Sequence, residues 1–204
     1  METSLLLLLT AAAYLIGSIP FGLLIAKTQG KDIRKLGSGN IGATNVLRCL
    51  GKPLGITCFV LDVLKGFLPA FFFPMVVKSQ VDFPGIGILF GTAAILGHNF
   101  PVFLKFKGGK GVATSAGVLL GVAPLAVLIG ILTWGIVFYT SGYVSLGSII
   151  AALVVVLTGW IAGYGPVIAT ALTLLGALTI WRHRSNIQRL RNGTENKFQR
   201  KKKS

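Results

Sequence analysis

Apolar residues run along this chain in long blocks rather than in the strict alternation that marks a half-buried strand. A block of about 20 apolar residues is the length of a membrane-crossing helix, with a range near 17–25. The first block covers about residues 4–26, the second about 54–77 and the third about 85–104. Residues 112–181 are then apolar almost throughout, broken by Gly121 to Pro124, by Thr140-Ser141-Gly142 and by Gly163 to Pro166. Those breakers cut the stretch into four pieces. The piece 112–123 is short for a span and reads as a half-membrane helix buried among the others. The pattern predicts an all-α polytopic membrane protein with seven transmembrane helices, five being the alternative.

Charge sets the orientation. Hydrophobic residues make up 53% of the 204 and charged residues 12%, with 20 Lys and Arg against 5 Asp and Glu, a net +15. The cations punctuate the apolar runs instead of coating a soluble domain, so a nucleic-acid partner is not expected. Lys27, Lys31, Arg34, Lys35, Arg48 and Lys52 fall in residues 27–53; Lys105, Lys107 and Lys110 fall in 105–111; nine more lie from Arg182 onward. The connection 78–84 has only Lys78, balanced by Asp82. Positive charge stays inside, so the N-terminus is expected outside and the C-terminus cytoplasmic. Residues 112–181 then start and end inside, which needs an even number of crossings. Two would average about 35 residues each, too long, and four about 17. Ser145 is thereby placed near the cytoplasmic face with the basic loops.

The first run continues to Ala26 with nothing basic before it, so it reads as an uncleaved span and not a signal peptide. Residues 1–196 form a single integral-membrane domain on this pattern, and the KFQRKKKS end, 197–204, a basic disordered tail. Cys49 and Cys58 are the only cysteines and suggest neither a disulfide framework nor a metal site. The sequon at Asn192 lies in a basic, cytoplasmic tail and is discounted.

Three polar stretches fall on the cytoplasmic side. GSGNIGATN, residues 37–45, spells G-x-G-x-x-G with Gly37, Gly39 and Gly42, but no strand precedes it and no dinucleotide unit follows. Its glycines can turn N–H groups toward one anion, and a helix beginning near Ala43 adds its positive end. Ser38, Asn40, Thr44 and Asn45 add side-chain donors, with Arg48 one turn along. Phosphate binding is favoured here over a plain tight turn. The second stretch, HNFPVFLKFKGGKGVATS at 98–115, is not a P-loop, because Gly111 follows Lys110 and Leu104 stands where the first glycine belongs. Lys107, Gly108, Gly109, Lys110 and Gly111 suit an anion cradle as well as an ordinary positive-inside loop. His98 reads more readily as a packing residue than as a catalyst. The third stretch is RHRSNIQRLRNGTE, 182–195, where His183, Asn186 and Leu190 share a helical face beside Arg189. A solvated tail would not explain Asn186 or the turn that ends in Glu195. Asp62 and Lys65, i,i+3 inside the second span, read as a structural ion pair. Five scattered acids offer no metal cluster, and neither a metal nor another cofactor is expected.

SGNIGATNVLR, GHNFPVFLKFKGGKGVATS and HRSNIQRLRNGTE resemble, in order, the three signature motifs of the bacterial membrane acyl-phosphate:glycerol-3-phosphate acyltransferases, the PlsY family. The resemblance in length and hydropathy covers nearly the whole chain. It implies transfer of a fatty acyl group from acyl phosphate to the 1-hydroxyl of glycerol 3-phosphate, giving lysophosphatidic acid and phosphate. It implies a multi-pass protein of the bacterial plasma (inner) membrane, in contact with membrane lipid and with its active site on the cytoplasmic side. It leaves open whether a soluble acyl-phosphate-producing enzyme delivers the donor. The family pattern assigns the acyl phosphate to Ser38, Gly39, Asn40 and Gly42, to which the loop chemistry adds Thr44 and Asn45. It makes Arg48, Lys107, Ser145, His183 and Asn186 the candidates for glycerol 3-phosphate; with Ser38 they form the expected catalytic set. His98, Gly109, Lys110 and Glu195 are secondary candidates. The chain lacks H-x-x-x-x-D, with Phe103 five residues after His98 and Gln188 five after His183, which argues against the His–Asp acyltransferases that use acyl thioesters. The general base is His183 or, favoured, the phosphate of glycerol 3-phosphate, because no acid is adjacent in the sequence to either histidine. A transporter for a phosphorylated solute would also want cationic glycine loops, but it would need polar groups along its later spans, which are Leu, Val, Ile, Ala and Gly.

Overall fold

The structure, a computed structural model, describes residues 2–77 and 85–198. The outer loop expected at 78–84 lies outside the described residues, as does most of the basic tail, 199–204. The described residues are helical, with no strand. Two compact units divide the chain, Met1–Ala123 and Pro124–Ser204.

The first unit holds α1 (Glu2–Ser18), α2 (Phe21–Thr28), α3 (Ala43–Leu50), α4 (Lys52–Val77), α5 (Ile86–Asn99) and α6 (Val112–Val122). The second holds α7 (Pro124–Ser141), α8 (Val144–Ile161), α9 (Pro166–Arg182) and α10 (Arg184–Arg191). Among the described residues five segments are long and apolar enough to cross a membrane: Thr3–Thr28, Lys52–Val77, Ile86–Leu104, Pro124–Ser141 and Val144–Ile161. The other two expected spans are apolar helices of 11 residues (α6) and 17 residues (α9). Leu7, Leu8, Phe72, Met75, Leu132 and Ile136 are exposed, as lipid-facing side chains are.

The first span is not the continuous helix that its hydropathy suggests. Pro20 has no N–H to donate and disfavours helical geometry at Ile19, so the helix breaks between Ser18 and Phe21. A broken helix in lipid must find partners for its freed carbonyls. Lys65 of α4 provides one, its Nζ donating to Ile19 O at 2.8 Å, where the negative end of α1 also favours a cation. The same Nζ is 2.8 Å from Asp62 Oδ1, so the ion pair expected from the i,i+3 spacing is present, with both side chains 3% exposed.

Helices in lipid gain little from apolar contact and associate through close packing instead. Gly66 on α4 lies against the Thr114 backbone, and Gly117 on α6 against the Val63 carbonyl. A methyl group at either would collide with backbone, so the α4–α6 seam requires both glycines. α1 packs on α5 the same way, through Gly17 against Ala94 and Gly97 against Tyr14. Tyr14 then donates its hydroxyl to Phe100 O at 2.8 Å, which ties the end of α5 to α1.

In the second unit α7 and α8 form a hairpin that turns at Gly142, where φ is +78° and glycine is favoured. α8 and α9 turn at 162–165, and the Tyr164 hydroxyl accepts from Leu125 N at 3.1 Å. Both turns fall at the expected breakers. The chain after α10 returns to the first hairpin: Phe198 N donates to Gly142 O at 3.0 Å, and its ring packs edge-on against Phe138.

Candidate active site

The loop at 37–45 is braced from within. Its entry is set by Asp32, whose carboxylate accepts from Arg34 N, Nε and Nη2 at 3.1, 2.9 and 2.8 Å. That guanidinium holds the Asp32 carboxyl down at about 2. Asn45, in the first turn of α3 and 2% exposed, then reaches back into the loop. Its Nδ2 donates to the carbonyls of Ile33, Leu36 and Asn40, and its Oδ1 accepts from Ser38 N at 2.9 Å. Asn45 was expected among the phosphate donors. It faces the loop interior instead, with its amide engaged there, and so shapes the site rather than lining it.

Backbone conformation sharpens the picture. Gly37 and Gly39 have φ of +55° and +69°, whereas Gly42 is extended at −78°. The N–H groups of Ser38, Gly39 and Gly42 are taken up by Asn45 Oδ1, Leu36 O and Asn40 Oδ1. Those of Ala43 and Thr44 have no partner among the described residues, as befits the first turn of a helix. The end of this loop with N–H groups open to a ligand is therefore the start of α3, which begins at Ala43 as expected, with Ser38 exposed and Arg48 half-buried beyond. Beneath it lie Leu23, Ile33, Ile41 and Val46, and Leu104, which leads into the second glycine loop, packs on the same cluster.

The second loop lies on the end of α5. Gly109 N donates to His98 O at 3.1 Å. A Cβ at Gly109 would overlap the His98 ring, and one at Gly108 would meet the His98 carbonyl and Pro101. His98 is 5% exposed, its Nδ1 3.7 Å from Asp62 Oδ1. An acid therefore does lie beside a histidine. It comes from another helix, 36 residues earlier, where adjacency in the sequence could not reveal it. Lys107 is exposed; Gly111, φ +82°, caps α6.

The second unit gathers the remaining candidates around Glu195. Ser145 Oγ and Asn186 Nδ2 both donate to its Oε1, at 2.8 and 2.7 Å, and Arg189 Nε donates to its Oε2 at 2.7 Å. Burial alone would push the Glu195 carboxyl up, but the bonds from Asn186, Arg189 and Ser145 hold it below its ordinary value. His183 sits at the break between α9 and α10, 2% exposed, with Asn186 N donating to its carbonyl at 2.8 Å. Its Nδ1 is 2.8 Å from Thr179 O. A carbonyl only accepts, so Nδ1 carries hydrogen and the lone pair of a neutral ring is on Nε2. Ser145, Asn186 and Glu195 are thus brought into direct contact within this unit, with His183 one turn away.

Comparison with known proteins bears on this arrangement. A profile of the glycerol-3-phosphate acyltransferase family matches residues 7–193. The chain is 48% identical over 192 residues to the glycerol-3-phosphate acyltransferase of Aquifex aeolicus (strain VF5), covering 94% of this chain and 98% of that protein. It is 51% identical over 194 residues to the enzyme so named from Geobacter metallireducens, covering 94% and 97%. Among solved structures it is similar to PlsY (YgiH), an integral membrane glycerol 3-phosphate acyltransferase, in its glycerol 3-phosphate form, with a TM-score of 0.88, 48% identity and coverage of 95% and 96%. The lysophosphatidic acid form of PlsY gives a TM-score of 0.85, also at 48% identity, with 95% of each chain covered.

Proposed function

The chain belongs to the glycerol-3-phosphate acyltransferase family, and from that premise we infer that it moves a fatty acyl group from an acyl phosphate to the 1-hydroxyl of glycerol 3-phosphate. The products are lysophosphatidic acid and inorganic phosphate, the entry to phosphatidic acid and phospholipid synthesis. The observation that carries this is the pair of forms in which its solved relative is known: glycerol 3-phosphate and lysophosphatidic acid differ by one acyl group. The choice of acyl phosphate as donor is supported by the missing H-x-x-x-x-D and by glycine loops suited to a compact anion.

An acyl phosphate is a mixed anhydride with a good leaving group, so the glycerol oxygen attacks the acyl carbon directly and the bond to phosphate oxygen breaks. No covalent enzyme intermediate is required. The enzyme holds two anions, orients the hydroxyl and stabilises the developing charge. In the first unit the N–H groups of Ala43 and Thr44 at the start of α3, with the side chains of Ser38, Asn40 and Thr44, take the acyl phosphate, Gly39 and Gly42 shaping the loop that leads to them, while Arg48 and Lys107 serve glycerol 3-phosphate. In the second unit the family pattern assigns Ser145, His183 and Asn186 to glycerol 3-phosphate, with Glu195 orienting Ser145 and Asn186. The hydroxyl proton passes to the phosphate of glycerol 3-phosphate, whose second pKa lies near 6. His183, with Nδ1–H fixed on Thr179, serves glycerol 3-phosphate through Nε2, which accepts from a hydroxyl when the ring is neutral and donates to phosphate when it is protonated.

Seven crossings follow if α6 and α9 join the five longer segments, with the N-terminus outside and the C-terminus cytoplasmic. The active site then faces the cytoplasm at the bacterial plasma membrane, where both phosphorylated substrates can reach it.

The test is turnover by purified protein in detergent with palmitoyl phosphate and glycerol 3-phosphate. Released phosphate and lysophosphatidic acid are expected, and palmitoyl-CoA should not substitute. Equal turnover with the thioester would overturn the donor assignment.

A further inference from the structure

Asp62, Lys65 and His98 are buried at 2%, 3% and 5% exposure inside the first unit, and none of them touches substrate in the scheme above. Ionisable groups are costly within a membrane helix and are retained where they do something an apolar residue cannot. Lys65 is accounted for by Asp62 and by the freed carbonyl of Ile19. The Asp62 carboxylate faces a second group as well, since Oδ1 lies 3.7 Å from His98 Nδ1. That separation is electrostatic contact rather than a hydrogen bond. The Nε2 edge of the ring is turned the other way, onto Gly109, so closely that a methyl there would overlap Nε2 and lie 2.8 Å from Cε1. The Gly109 N–H is anchored to the His98 carbonyl. The imidazole therefore stands between a carboxylate fixed by Lys65 and the backbone of the second glycine loop.

We propose that Asp62 and His98 are positioning residues for acyl transfer. The buried carboxylate sets the orientation of the imidazole. The imidazole is the floor on which residues 107–111 rest, and through that floor it fixes where Lys107 presents its charge. The inference rests on the assignment of Lys107 to glycerol 3-phosphate.

A size-swap series tests it. Gly109→Ala drives a methyl into the ring and should lower kcat/KM for glycerol 3-phosphate on the order of 100-fold, as expected for about 1 Å of displacement. His98→Ala should cost about tenfold, mostly in KM for glycerol 3-phosphate, with KM for palmitoyl phosphate little changed. The double variant His98→Ala/Gly109→Ala has room for the methyl and should recover about tenfold over Gly109→Ala alone. In a Lys107→Ala background, His98→Ala should cost less than about twofold, because both act through one cation. Asp62→Asn strands Lys65 and threatens folding, so Asp62→Asn/Lys65→Met is the usable form. It should raise KM for glycerol 3-phosphate as His98→Ala does, without adding to it. A double variant no better than Gly109→Ala, with activity tracking melting temperature throughout, would reduce His98 to packing and overturn the proposal. If Lys107→Ala leaves KM for glycerol 3-phosphate unchanged, the Lys107 assignment fails, and the size-swap recovery still decides the role of His98.

Discussion

Gly39→Ala separates an anion-binding loop from a simple turn between helices. The change adds one methyl and no charge. At φ +69° an alanine is strained by roughly 1–2 kcal/mol. The new Cβ would lie 3.1 Å from Arg34 O, a contact relieved by a shift of tenths of an ångström. In a chain of 204 residues about 1 kcal/mol corresponds to roughly 2–4 °C, so the melting temperature should fall by about 2–8 °C. The kinetic effect should be larger. Gly39 is followed by the residues that lead to the free N–H groups of α3, and a displacement near 1 Å at a positioned reactant lowers the rate on the order of 100-fold. Melting temperature and kcat/KM for acyl phosphate are to be measured on the same sample. Gly37→Ala is the comparison. There the Cβ collides with Asn45 Oδ1 and lies 2.7 Å from Cys49 Sγ, so it should melt lower than Gly39→Ala. If Gly39→Ala loses a few degrees while its folded fraction keeps normal kcat/KM, the loop is a turn and does not hold the donor phosphate.

Glu195→Gln should weaken charge-assisted hydrogen bonds to Arg189, Asn186 and Ser145, each worth about 1.5–3 kcal/mol, and lower the melting temperature at pH 7. The folded pKa of Glu195 is depressed, so its stabilisation is present above the ordinary carboxylate value and lost as pH falls through the lowered one. The melting gap between wild type and Glu195→Gln should therefore narrow progressively as pH is lowered below the ordinary carboxylate value, and a gap unchanged across that acid titration would contradict the role given to the carboxylate. His183→Ala should impair turnover but keep the acid limb of the kcat profile, which belongs to the substrate phosphate; loss of the limb would make histidine the base. Cysteines at Lys35, Lys107 and Gly193 should be protected from an impermeant thiol reagent in intact cells and one at Ser79, outside the described residues, labelled; labelling at Lys107 would reverse the orientation.

Helix ends were legible wherever a breaker stood between apolar runs. Thr140-Ser141-Gly142 and Gly163 to Pro166 fall at the ends of α7, α8 and α9, because lipid demands continuous apolar helix and leaves the turn chemistry conspicuous. Pro20 was hidden by the same signal: hydropathy averages over a proline that geometry does not tolerate. Within the loops, residue type indicated hydrogen-bonding capacity but not direction. Asn45 has the donors expected of a ligand, yet its place on the inner side of the first turn of α3 directs them to Ile33, Leu36 and Asn40. The contacts of two acids, one in each unit, were the least legible. Asp62 meets His98 from another helix, and Glu195 meets Ser145 from 50 residues away, contacts that only tertiary packing creates.

The central claim is direct acyl transfer from bound acyl phosphate to the 1-hydroxyl of bound glycerol 3-phosphate, and a single-turnover experiment with acyl-labelled palmitoyl phosphate tests it most directly. Purified protein in excess over donor should release one phosphate for each labelled lysophosphatidic acid, only when glycerol 3-phosphate is present, with no label remaining on the protein. Label retained covalently on the chain, phosphate released without acceptor, or folded protein that forms no lysophosphatidic acid would contradict it.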